Sequence, residues 1–339
     1  MGLLFLGDFL YDYDDLQDDI VKIAQWIREN NYQVILNLEG PIIKDAHEKI
    51  KKRGPNLSQS DMAIEVLKQL NVIGVCLANN HIMDYGDDGL KETINVLNEN
   101  NILHTGAGDD LTNASKPMII QDGEEIYEVY NFGWYLEETV YATNNTAGCS
   151  PREESHILNC IIERNNYKKI AIMHWGFEYN YLPMPYDIDL AHKMIDYGYD
   201  IIIGHHPHVN QPKELYNKKP VFYSIGNFYM GTRRKNFLTR LNNEVLGHGV
   251  LLNENQIKLY NIIYNHETKI SISQSEEEIT GVNYISKEYI KQCKRRSKNY
   301  TPILTANFIE NNFKILLLKL FYLVYGKVKF LRKRNVEIG

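Results

Sequence analysis

Residues 201–208 read IIIGHHPH, an isoleucine run that passes through glycine into three histidines and a proline. A short β-branched run of this kind is a strand candidate buried on both faces. Its polar end carries ligand chemistry. His206 and His208 lie two apart, and in an extended turn they point to one side, as two ligands of one metal centre need. His205 precedes that pair, as a substrate contact or a bystander.

The same design recurs upstream. Leu3–Leu6 leaves through Gly7-Asp8, and Val34–Leu38 ends in Asn37-Leu38-Glu39-Gly40-Pro41. Val72–Leu77 runs into Ala78-Asn79-Asn80-His81 and then Asp84-Tyr85-Gly86, and Lys169–Met173 into His174-Trp175-Gly176 with Glu178 just beyond. Each motif alone reads equally well as a turn with a polar bystander. Together they are harder to dismiss, because five of the eleven histidines fall in three strand-end motifs beside two strand-end carboxylates. Open α/β sheets place ligands at the carboxyl ends of their strands. Oxygen and imidazole donors without cysteine suit Mn, Fe or Zn.

Between these strands the apolar spacing turns helical over Asp14–Asn30, Ser60–Leu70, Gly89–Asn100 and Tyr186–Tyr197. Ser150-Pro151-Arg152-Glu153 reads as a capped start for a further helix to about Asn166. Lys116–Ile120 and Ile126–Phe132 read as paired strands around Asp122-Gly123, and GVLLNENQIKLYNIIY from Gly249 as a hairpin. Strands alternating with helices predict a layered α/β fold with a sheet buried between helices.

Composition narrows the classes. At 339 residues, with 44% hydrophobic and 24% charged residues, the chain can bury a core without staples and is neither disordered nor fibrous. A net charge of −6 argues against nucleic acid as a partner. Cys76, Cys149, Cys160 and Cys293 form no CxxC pair, which fits a reducing, cytoplasmic compartment. The opening MGLLFLGDFL lacks the basic region and long apolar run of a signal peptide. Residues 1–265 form the expected domain, 266–300 a polar connection, and 301–339 a tail with seven basic and two acidic residues. Within FKILLLKLFYLVYGKVKFLRKR in that tail the apolar stretch is Ile315–Val324, broken by Lys319, about half the ~20 residues that span a bilayer. It reads equally as an amphipathic helix lying on the inner membrane face or as a helix packed on the domain.

In order, GD, NLEGP, ANNHIMDYG, HWGFEY, GHHPHVNQP and YSIGNF resemble the CapA family of poly-γ-glutamate capsule synthesis proteins, itself similar to the calcineurin-like metallophosphoesterases. The matched stretch runs from about Gly2 to Phe228. The resemblance implies a four-layer α/β/β/α sandwich of the metallophosphoesterase type, here with a C-terminal helical tail, and a site for two divalent metal ions. It implies that Asp8 binds one ion, that Glu39 bridges both, and that Asn80 and His174 bind the second. His206 and His208 would give one ligand to each. His81 corresponds to a general acid beside the ligand Asn80, and Asp84 and Glu178 would stand behind the ligands. Two features depart from the wider superfamily. Leu10 stands where a further histidine ligand is expected, and Glu39 stands where aspartate is usual. Members often carry an N-terminal membrane anchor, which this N-terminus lacks and which the basic tail would replace.

Three activities follow as expectations. The first is a metal-dependent phosphoesterase in capsule or extracellular polymer synthesis, with an anionic phosphoester or polymer substrate and His81 protonating the leaving oxygen. The second is a non-hydrolytic module that binds or guides an anionic polymer. The third, amide hydrolysis on a γ-glutamyl bond, has no motif that selects it.

Overall fold

Apolar runs with a period of two build two sheets, and apolar stripes with a helical period cover their outer faces. The computed structural model of the chain describes residues 2–275 apart from 45–46, 53, 134–138, 165, 233–243, 254–255 and 266–268. All of these lie within one unit, Met1–Ile285. The elements begin β1 (Gly2–Asp12), α1 (Asp18–Glu29), β2 (Tyr32–Leu38), α2 (Met62–Gln69), β3 (Val72–Cys76), α3 (Gly86–Glu99) and β4 (Leu103–Thr105). Then come β5 (Ala107–Gly108), α4 (Leu111–Ala114), β6 (Met118–Asp122), β7 (Glu125–Gly133), β8 (Gly148–Cys149), α5 (Glu154–Asn159) and β9 (Tyr167–His174). Next are α6 (Pro185–Tyr197), β10 (Ile201–His205), β11 (Lys213–Tyr216), β12 (Lys219–Phe222) and β13 (Asn227–Thr232). Last are β14 (Glu244–Asn253), β15 (Gln256–Asn265) and β16 (Lys269–Gln274).

The first sheet runs β16-β15-β14-β1-β2-β3-β4, and β13 pairs with the far half of β1. Strands β1 to β4 are parallel neighbours. The second sheet runs β11-β12-β10-β9-β7-β6, with β7, β9, β10 and β12 parallel. Leu3, Phe5, Ile35 and Cys76 of the first sheet pack against Val129, Ile170, Ile172, Ile201 and Ile203 of the second. On the other face of the first sheet, Leu4, Leu6, Val34, Leu36 and Val75 meet Ile20, Ile23 and Ile27 of α1, Val66 and Leu67 of α2, and Leu90 and Leu97 of α3. Beyond the second sheet, Tyr130 stacks edge-on against Tyr199 and Phe132 against His156, where α5 and α6 lie. The layering is therefore α/β/β/α, as the resemblance implied.

Three local expectations change. The first strand continues past Leu6 to Asp12, because β13 supplies a partner for residues 8–12. The helix predicted from Ser150 shrinks to Glu154–Asn159, with Glu153 rather than Ser150 at its start. The backbone of 150–152 is held by the sheet end instead: Ser150 N–H donates to the Gly106 carbonyl at 2.8 Å and Arg152 N–H to the Gly133 carbonyl at 3.0 Å. Finally, the first sheet continues beyond residue 265 through β16, paired antiparallel with β15. The rest of the polar connection and the 301–339 tail lie outside the described residues. Among the described residues no helix is long and apolar enough to cross a membrane.

Candidate metal centre

The apolar layer between the sheets turns polar at one end, and that end is the site. Along β2 the inward series is Ile35, Asn37 and then Glu39; along β9 it is Ile170, Ile172 and His174; along β10, Ile201, Ile203 and His205. In β1 the series Leu3, Phe5 would bring Gly7 inward and turn Asp8 away. A bulge between Leu6 and Asp8 absorbs Gly7 and returns Asp8 to the inner face. Only glycine fits there, since a Cβ at position 7 would sit 2.2 Å from the Gly226 carbonyl oxygen.

Asp8 and Glu39 are fully buried and are joined by one amide. Asn37 Nδ2 donates to Asp8 Oδ1 at 2.8 Å and to Glu39 Oε2 at 2.6 Å. Asp8 Oδ2 accepts from the His206 backbone N–H at 3.2 Å and faces His208 Nδ1 at 3.1 Å, while Oδ1 faces His205 Nδ1 at 3.2 Å. Across the sheets, His174 Nε2 lies 2.9 Å from Asn80 Oδ1 and 3.9 Å from Glu39 Oε1. The His174 and His206 rings are 4.7 Å apart, and those of His206 and His208 are 6.0 Å apart. The structure thus brings Asp8, Glu39, Asn80, His174, His206 and His208 to one place.

The turn that presents the last two is not extended, contrary to the expectation from their spacing. His206 has φ 91° and His208 φ 57°, left-handed conformations that bulky residues avoid at a cost of about 1–3 kcal/mol each. Asn227 holds this turn, with its Oδ1 2.8 Å from His208 Nδ1 and its Nδ2 donating to the His208 carbonyl at 3.3 Å.

His81 sits in the turn before α3, with Nδ1 2.7 Å from Asp84 Oδ2. Asp84 is fully buried against that ring. Glu178 is half-buried, and its charge acts on Glu39, His206 and His208. His205 is 2% exposed and packs on Asp8. Leu10 packs with Leu57 and Met230 in an apolar cluster of its own.

Burial and pairing together set the charges of the pocket. Burial would raise the Asp8 carboxyl, but hydrogen bonds to His205 and His208 hold it well below the usual carboxylate range. Burial would lower His208, but the same bond to Asp8 and its charge hold it up at about 10. Glu39 has no such partner: burial, with Asp8 adding to it, pushes it up to about 8. Burial pushes His206 down to about 4 and His174 well below the imidazole range, so both are neutral donors of lone pairs. Burial also lowers His81.

The residues fit a divalent cation. Glu39 Oε1, His174 Nδ1 and both ring nitrogens of His206 are buried without a hydrogen-bond partner, a large cost unless something else binds there. One ligand atom from each of Asp8, Glu39 and His174 falls within 4.8 Å of the others.

Residues 3–232 match the family described as bacterial capsule synthesis protein PGA_cap. The chain belongs to this family. Among curated PGA_cap-like relatives, the chain is 33% identical over 214 residues to the PGA biosynthesis protein CapA of Bacillus subtilis, covering 62% of this chain and 56% of that protein. It is 30% identical over 215 residues to the capsule biosynthesis protein CapA of Bacillus anthracis, covering 61% and 52%. The chain spans about half the length of these relatives. Among solved structures, the NAD nucleotidase NadN of Haemophilus influenzae superposes with a TM-score of 0.39 at 12% identity, over 80% of this chain and 49% of that one. The sulfate thiohydrolase SoxB of Thermus thermophilus gives 0.41 at 9%, over 76% and 42%.

Sequence reasoning missed three side chains that build the site. Asn37 bridges the two carboxylates, Asn227 holds the His208 turn, and Asn79 binds the Leu38 carbonyl at 2.7 Å and accepts from His81 N–H at 3.1 Å. Their signal was an asparagine inside or at the end of an apolar strand, where only a specific partner repays burial of an amide.

Proposed function

We propose that this PGA_cap domain is a metal-dependent hydrolase of the metallophosphoesterase kind that serves capsule or extracellular polymer synthesis. The observation that carries this reading is the convergence of two buried carboxylates with imidazole nitrogens that have no other partner. Asp8, Glu39, Asn80, His174, His206 and His208 would hold two divalent ions, with Mn, Fe and Zn suited to the donor set. Ions bound there supply Lewis acidity and an activated water for attack at phosphorus. Asn37 orients Asp8 and Glu39 for that task, and Asn227 orients His208. His81, held through Nδ1 by Asp84, is placed to give a proton to the leaving oxygen from its other ring nitrogen. Glu178 stands at the half-buried rim. The substrate class is an anionic phosphoester, or the polymer or polymer precursor that bears it. A cytoplasmic placement, with the 301–339 tail touching the inner membrane face, belongs to the same reading.

The test is elemental analysis of chain purified without chelator or His-tag, beside Asp8→Ala and His206→Ala, followed by a screen of phosphomonoesters and phosphodiesters. Two ions per chain that fall in both variants, with chelator-sensitive turnover, support the reading. No ion after reconstitution with Mn or Zn overturns it.

A second reading draws on the relatives, which include a probable polyglutamine synthesis accessory protein of Mycobacterium tuberculosis, 31% identical over 168 residues. Here the domain holds or guides an anionic polymer without cleaving it. Polymer binding that survives chelation, with no turnover, favours this second reading.

A further inference from the structure

A residue outside every motif named above touches the candidate acid. Lys52 lies in the crossing from β2 to α2, and its side chain is only 4% exposed. Its ammonium pairs with Asp84 Oδ1, donates to the Asn80 carbonyl at 3.3 Å and stands 3.1 Å from His81 Nδ1. The crossing clasps Asp84 from several sides. Leu57 N–H donates to Asp84 Oδ2 at 2.7 Å, and Ile50 N–H and Asn56 Nδ2 each donate to the Asp84 carbonyl at 3.0 Å.

Donor rules decide how the three side chains share protons. An ammonium only donates and a carboxylate only accepts, so a single Nδ1 cannot satisfy both. The Asp84 contact is the shorter, 2.7 Å against 3.1 Å, and assigns the hydrogen to Nδ1. The ring's lone pair then lies on Nε2. Asp84 is fully buried, and Lys52 is the cation against its Oδ1, so removing either partner leaves the other without its counter-charge.

We propose that Lys52 is a positioning residue for His81: it pairs with Asp84 Oδ1, and Asp84 fixes the Nδ1–H tautomer, so that Nε2 is the nitrogen that takes up the proton it must then give. The acid role itself rests on the hydrolase reading; the tautomer does not.

The experiment is ¹⁵N NMR of the full chain labelled at histidine, at one neutral pH, with His81 assigned by its loss in His81→Asn. The wild type is expected to show Nδ1–H at His81. Lys52→Met is expected to lose that single tautomer and Lys52→Arg to restore it. If turnover is found in the phosphoester screen, kcat should fall at least tenfold in Lys52→Met with KM unchanged, and recover in Lys52→Arg. A folded Lys52→Met chain that keeps the Nδ1–H tautomer overturns the proposal. Should Lys52→Met not fold, Lys52→Met/Asp84→Asn removes both charges together. The ring in that chain should match Asp84→Asn alone, since Lys52 acts only through Asp84. A ring state different from that of Asp84→Asn overturns the proposal equally. Absence of turnover in every chain would fail the hydrolase reading and leave the tautomer result standing.

Discussion

Glu39→Gln should make the metal-free chain more stable at pH 8 while destroying its response to metal. Burial, with Asp8 beside it, moves this carboxyl from 4.5 to about 8. The raised value means that the folded chain binds a proton the unfolded chain has lost. Stability from this group is present below 4.5 and drains away as pH rises towards about 8. At about 1.4 kcal/mol per tenfold change in proton affinity, the loss is about 4 kcal/mol at pH 8 and about 1 kcal/mol at pH 5. Glutamine is neutral, has nearly the same shape, and can still accept from Asn37 with its amide oxygen. It should therefore recover most of that loss, a rise in Tm of roughly 8–16 °C for a domain of this size. The assay is thermal melting in chelator and in excess Zn or Mn, at pH 5 and pH 8. In chelator the variant should melt well above the wild type at pH 8 and close to it at pH 5. With metal the wild type should gain about 3 kcal/mol at a hundredfold excess over Kd, and the variant little. If the variant is no more stable than wild type at pH 8 in chelator, the buried charge of Glu39 is not what the cation relieves.

Three further outcomes follow from the same geometry. His208 is held protonated up to about 10, so taking up an ion must expel a proton; calorimetry in buffers of different ionisation heat should count about one proton per ion, with affinity rising from pH 6 to pH 8. His206→Ala removes a ring with no hydrogen-bond partner for either nitrogen, so the metal-free chain should still fold, with affinity for Zn or Mn more than tenfold weaker by titration. Gly7→Ala would put a Cβ 2.2 Å from backbone oxygen and should cost at least about 2 kcal/mol in denaturant melts, with weaker metal binding as Asp8 shifts.

Much of this protein is legible without coordinates. The isoleucine run before Gly204 and the valine and leucine runs before Glu39 and Asn80 record burial residue by residue, so strands, covering helices and the polar strand ends can be read locally. The strand-end positions Asp8, Glu39, Asn80, His174, His206 and His208 stand out for the same reason: a polar side chain that ends a buried strand needs a partner. Tertiary structure decided the rest. Gly7 had to leave the pleat for Asp8 to face the layer between the sheets, and that depends on Gly226, over two hundred residues away. The histidine turn is left-handed because Asn227 and Asp8 hold it, not because of its own spacing. Lys52 sits in an ordinary polar stretch, and only the folded chain puts its charge against Asp84. Periodicity reports how much water each residue loses; which buried charge meets which is set by chain segments that come together only in the fold, where the cost of leaving either unpaired selects the pairing.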